Sequence, residues 1–348
     1  MRSIKYLSPL FMYAGAYFSF THRGWMCYIP LLITWLVIPC VELWSKPDKR
    51  NLSLSAEEEA KSDRSYDLIL YLIVIVQWPM LFLFLYSMQD TTLSLVDKVG
   101  RIGTMGLFCG TCGINVGHEL GHRVNRFERT LAKISLLSSL YMHNIIEHNK
   151  GHHKNIGTRA DPSTARFGEN LYMFWFRCIV FTYIGAWTIA NRESRKQYRT
   201  AAHPGNEMIQ FHLIQFSLIA FIFLVFGWQV LVCFMLAALT GILLLQTVGY
   251  IEHYGLTRKY VTEGKFERVL PLHSWDSHHL LGRVLLFEVS RHSDHHYLAS
   301  RKYQVLRYHD SSPQLPTGYP GMILLSLLPP VWFNIMNPRL KDHLSSRF

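Results

Sequence analysis

Residues 211–250 read FHLIQFSLIAFIFLVFGWQVLVCFMLAALTGILLLQTVGY, a run without a single Asp, Glu, Lys or Arg. A helix needs about 20 apolar residues to cross the hydrocarbon core of a bilayer, so this run is long enough for two spans, 211–229 and 231–250, joined by a minimal turn at Phe226 to Trp228. Working outward, four further stretches have the same length and character: 4–20, 25–44, 67–87 and 101–119. The stretch 171–190 is aromatic-rich but contains Arg177, and reads as a helix lying at the interface. The expectation is an all-α integral membrane protein with about six transmembrane helices. The first stretch has no small-residue cleavage site and runs straight into the second, so it reads as a mature helix and not as a leader.

Composition agrees. Hydrophobic residues make up 49% of the 348, aromatics 14% and charged residues 17%, against roughly 25% charged in soluble domains. The net charge of +11 falls largely on one side. With the N-terminus cytoplasmic, that side receives Arg2, Lys5, Lys46, Lys49, Arg50, Lys61, Arg64 and two long segments of about 120–210 and 251–348, as the positive-inside rule requires. No basic repeat or nucleic-acid module accompanies the charge, which excludes a nucleic-acid partner. A single domain, 1–348, therefore reads as a helical membrane bundle with a cytoplasmic helical cap. The six cysteines, at 27, 40, 109, 112, 178 and 233, lie mostly in apolar stretches without disulfide-type pairing, and Cys109-x-x-Cys112 reads as packing.

Nine of the 18 histidines fall in four motifs that this topology brings to one side. HELGHR carries His118 and His122 at the end of the fourth span, four residues apart and so on one helix face. EHNKGHH carries His148, His152 and His153; VGYIEHYGL carries His253 just beyond the last span; SRHSDHH carries His292, His295 and His296. Imidazole suits zinc, copper, iron or nickel. Nine rings exceed one ion's capacity, whereas two ions with four or five ligands each use them all and keep an open position. A structural zinc site needs four ligands and commonly includes Cys, which these motifs lack. The pattern therefore points to a two-metal catalytic centre. Glu119, Glu147, Glu252 and Asp294 adjoin motif histidines and, with Asp161, are the candidate partners for ring N–H groups. Thr34, Trp35, Ile38 and Leu107, on the second and fourth spans, are candidates to line a substrate channel.

The four motifs, in this order, resemble those of the integral-membrane alkane hydroxylases (alkane 1-monooxygenases), within the group that also holds fatty-acid desaturases and xylene monooxygenases. The resemblance extends to Asp161-Pro162-Ser163-Thr164 with Arg166, Gly168 and Glu169, to His273-Ser274-Trp275, and to Leu315-Pro316-Thr317-Gly318-Tyr319-Pro320-Gly321, covering roughly residues 20 to 340. It implies that His118, His122, His148, His152, His153, His253, His292, His295 and His296 bind two iron ions. It also implies that O2 and an alkane are co-substrates, and that rubredoxin with an NADH-dependent rubredoxin reductase supplies electrons. The chain has neither a four-Cys rubredoxin pattern nor a dinucleotide fingerprint, so reductant must come from another protein. Arg192, Arg195, Lys196, Arg301, Lys302 and Arg307 are candidates for its docking surface. Two positions depart from the family pattern: Gly249 and Asp276 stand where Asn is usual. The alternatives are an aryl-methyl monooxygenase, a fatty-acyl hydroxylase or desaturase, an intramembrane zinc protease using HELGH with Glu119 as base, and a metal transporter or sensor.

Overall fold

A computed structural model describes residues 2–262 and 265–345. The described chain is mostly helical; its small sheet is one antiparallel hairpin, Tyr260–Thr262 with Lys265–Phe266, in which Tyr260 pairs with Phe266. Five helices are long and apolar enough to cross a membrane: Gly24–Trp44, Ser65–Ser87, Leu171–Tyr198, Glu207–Phe226 and Trp228–His253. The charge-free run thus forms two helices broken at Gly227, whose φ of 85° suits glycine.

The count of six differs in three places. The first stretch forms a 14-residue α-helix, Ser8–Thr21, after a 3-10 turn, and at 1.5 Å per residue that is about 21 Å, short of the roughly 30 Å core. The stretch 101–119 is helical but not uniform. It starts at Leu95 on a Ser94–Asp97 capping box, loosens into a π-helical turn at Cys109–Ile114, and resumes as Asn115–Gly121. Finally, 171–190 belongs to a 28-residue helix that qualifies as a span. Arg177, which marked it as interfacial in the sequence, is paired: its guanidinium donates to both Glu169 oxygens at 2.7 Å and to the carbonyls of Pro162 and Thr164.

The domain expected over 1–348 comprises two compact units. The first holds residues 1–33, 65–151 and 183–245. At its centre the Tyr13 hydroxyl donates to Gln77 at 2.7 Å, and Gln77 in turn donates to Ser138. The π turn packs here, with Ser135 and Ser139 hydroxyls on the Gly113 and Cys109 carbonyls. A Cβ added at Gly241 would come within 2.6 Å of Cys109, so glycine is what lets these two helices approach. No disulfide joins any of the six cysteines, and Cys109 and Cys112 are buried.

The second unit holds residues 34–64, 152–182 and 246–348. Short helices Leu280–Leu285, His292–Tyr297 and Tyr319–Ser326 build much of it. Buried Glu42 ties the Ile38–Trp44 helix to it by accepting from the Gly282 amide at 2.7 Å. Gly255, at φ 72°, stops the helix that ends in Glu252 and His253.

Candidate metal centre

In the first unit, three of the expected histidines converge. His118 and His122 stand at the end of the resumed helix after the π turn, and His148 opens a second π turn, His148–His152. The Nε2 of His118 is 2.8 Å from that of His148 and 3.2 Å from that of His122. The Asn149 side chain donates to the Gly121 carbonyl at 2.8 Å and holds the two motifs together. Gly151 completes the arrangement, because a Cβ there would meet the Glu147 carboxylate at 2.5 Å.

In the second unit, four histidines form a fully buried set whose donor atoms all lie within 4.8 Å of one another: His152, His253, His292 and His296. Their Nε2 atoms make a chain of close pairs, His152 to His296 at 3.2 Å, His296 to His292 at 2.9 Å and His292 to His253 at 3.1 Å. An imidazole nitrogen offers one in-plane lone pair or one N–H, so hydrogen bonding cannot satisfy His292 or His296 toward two neighbours at once. Ligands around an ion with metal–nitrogen bonds of about 2.1 Å stand roughly 3.0–3.4 Å apart. The Nε2 spacings lie within that range or, for His296 to His292 at 2.9 Å and His118 to His148 at 2.8 Å, just below it. The residues fit a metal. His153 and His295, also in the second unit, have ring centroids 4.9 Å apart, and His153 lies 4.4 Å from His296. Every one of the nine expected histidines therefore belongs to a convergent group of rings.

The carboxylates divide. Asp161 accepts from His152 Nδ1 at 2.8 Å and from the Thr164 hydroxyl at 2.6 Å. That bond puts the His152 proton on Nδ1 and turns the Nε2 lone pair toward the set. Burial works to raise the Asp161 pKa, but His152 and Thr164 outweigh it and hold the group below the usual carboxylate range. Glu252 reaches His292 Nε2 at 3.2 Å. Glu119 is instead bound to Arg123 at 2.7 Å, which also meets Asp67 at 3.4 Å, so the base that a zinc protease would need is tied in an ion pair. Asp294 accepts from Arg301 at 2.6 Å, His309 Nε2 at 2.7 Å and the Arg307 amide at 2.9 Å. It pins the segment after the last motif. Arg301 is thereby occupied, and Arg307 pairs with Glu57, so these two are internal fasteners and not open docking cations. Arg192, Arg195 and Lys196 do lie together at the surface, while Lys302 is half-buried. Among the channel candidates Thr34, Ile38 and Leu107 are buried and Trp35 is half-buried.

Three contributors escaped the sequence reading. His309 was counted outside the motifs, yet it braces Asp294. Tyr319, noted only as part of a family stretch, donates to Glu252 Oε1 at 2.8 Å. Asp276, noted only as a departure, accepts from the Ser293 amide at 2.8 Å, the Ser293 hydroxyl at 2.5 Å and the Ser312 hydroxyl at 2.9 Å. It thereby anchors the first turn of the helix carrying His292, His295 and His296. Burial pushes the Asp276 carboxyl up to about 6 against these bonds. A buried charged or polar residue beside an S-rich histidine motif was the available signal, but its partners are 17 and 36 residues away.

Comparison with known proteins agrees with this geometry. The fatty acid desaturase family model matches residues 102–326, which include all nine histidines. The chain is 35% identical over 308 residues to alkane 1-monooxygenase 2 of Alcanivorax borkumensis, covering 88% of this chain and 81% of that protein. It is 34% identical over 319 residues to alkane 1-monooxygenase of Pseudomonas putida, covering 91% and 79%. The xylene/toluene monooxygenase hydroxylase component of Pseudomonas putida is similar at 23% identity over 280 residues, 79% of this chain and 74% of that one. A buried set of four histidines, five apolar helices of membrane-spanning length and these matches lead to one conclusion: the chain belongs to the alkane 1-monooxygenase family, within the broader fatty acid desaturase family.

Proposed function

We propose that this protein is an integral-membrane, non-haem di-iron monooxygenase that converts alkanes to primary alcohols by hydroxylating the terminal carbon. The observation that carries the reading is the match to alkane 1-monooxygenases at 30% identity or more, with about four-fifths of their length covered in the best cases. The much lower identity to the xylene/toluene enzyme disfavours an aryl-methyl substrate. His152, His253, His292 and His296 would hold one ion, and His118, His122 and His148 would take part in holding the other. Two irons bound there supply the reductive activation of O2 that an unactivated C–H bond demands. The balance is RH + O2 + 2 electrons + 2 protons → ROH + H2O, so an external donor is required.

The chain's own residues do the rest. Asp161 fixes the His152 tautomer, Asp276 and Asp294 lock the segment of the last histidine motif, and the apolar helices give a hydrophobic substrate a route from the bilayer. In this reading the donor is rubredoxin, reduced by its NADH-dependent reductase. The site faces the cytoplasm, in the inner membrane if the cell is bacterial. The test is metal analysis of the detergent-purified protein alongside turnover of linear alkanes with rubredoxin, its reductase and NADH. About two irons per chain and a 1-alkanol product are expected. About one zinc, no iron and no alcohol would send the chain to the protease reading.

A further inference from the structure

Glu252 precedes His253 at the end of its helix, and its two oxygens have different surroundings. Oε1 accepts the Tyr319 hydroxyl at 2.8 Å. Oε2 lies 3.2 Å from His292 Nε2, the same nitrogen that is 3.1 Å from His253 Nε2 and 2.9 Å from His296 Nε2. A histidine that gives its Nε2 lone pair to a metal carries no proton on that atom, so His292 cannot donate to Glu252 while it ligates. Two lone-pair atoms 3.2 Å apart then repel, in a site where both side chains are about 95% buried and water cannot screen them. A cation between them removes the conflict. The separation also falls among the ligand edges of the four-histidine set.

We propose that Glu252 Oε2 is a fifth donor to the ion held by His152, His253, His292 and His296. Tyr319 is the positioning residue: its hydroxyl occupies Oε1 and fixes the carboxylate rotation, which leaves Oε2 for the metal. The consequence is electronic. Four neutral imidazoles leave an ion's charge unopposed, whereas one carboxylate subtracts a full unit at bonding distance and favours the ferric over the ferrous state. The proposal rests on the di-iron reading above.

The decisive measurement is a structure of the iron-loaded full chain. An iron within about 2.2 Å of Glu252 Oε2 is expected; an iron more than about 3 Å away overturns the proposal. Mössbauer spectra of iron-57-loaded wild type, Glu252→Gln and Tyr319→Phe supply a second readout. Glu252→Gln should alter one of the two iron signals and lower the iron content, and Tyr319→Phe should keep both irons. Wild-type signals and two irons in Glu252→Gln would reduce Glu252 to a clasp on Tyr319. If Glu252→Gln does not fold, the wild-type structure alone decides. Wild-type protein that binds no iron would sink the di-iron reading itself, an outcome distinct from two irons with Glu252 remote.

Discussion

Two histidine groups, each lying wholly within one unit, differ in burial. His118, His122 and His148 are half-buried, whereas His152, His253, His292 and His296 are all buried. The buried group has carboxylates on its rings, with Asp161 on His152 and Glu252 beside His292, and its last helix is fastened by Asp276. Burying imidazoles without partners is costly, so the dry set needs acceptors and anchors. Beside the half-buried set, the Asn149 side chain donates to the Gly121 carbonyl and joins the two motifs. Seclusion and access are thus divided between the two groups.

The contrast can be broken outright at His292, which stands between His253 and His296. His292→Ala should empty the buried set and cut alkane turnover by more than the roughly 100-fold that loss of an outer partner costs, while the protein remains in the membrane. Wild-type turnover would refute the ligand assignment. Chelation sharpens the comparison. Iron should leave in two phases, the half-buried set first, and a single-phase loss followed by metal analysis would mean that burial does not govern release.

Asp161→Asn should be milder. It keeps the shape but weakens the acceptor on His152 Nδ1, and iron affinity, read by competition with a chelator, should fall roughly 10–100-fold. The smallest effect belongs to Asp276→Asn. Its carboxyl has a folded-state pKa of about 6, above the ordinary value near 3.9, so its contribution to stability is full below about pH 4 and is lost as pH rises through 6. Asn does not titrate. The variant's melting temperature relative to wild type should therefore rise from pH 4 to pH 7, by roughly 2–4 °C per kcal/mol. A difference that is flat with pH would show that Asp276 does not titrate in that window.

Much of this was legible in the sequence because it rests on periodicity. Charge-free runs announced the long helices, and the four motifs announced all nine histidines. Arg177 misled because a charge inside an apolar run looks interfacial until its partner Glu169 is seen. Asp294 misled in the other direction: adjacency to His295 suggested an acceptor for a motif ring, but the side chain turns to Arg301 and His309. Neighbours in sequence share no helix face, so adjacency carried little information about contact. The Asp276 anchor depends on pairings across 17 and 36 residues, which no local pattern encodes.

The π turn at Cys109–Ile114 has a consequence for how this protein can vary. Such a turn amounts to one extra residue accommodated in a helix. Deleting a single residue there would let a regular α-helix run through while the later side chains, His118 and His122 among them, keep their places. A deletion within the regular turns of Leu95–Phe108 would instead rotate the two sides of the cut against each other by about 100°. The π turn is therefore a place where this helix can change its length by one residue without carrying His118 and His122 away from His148.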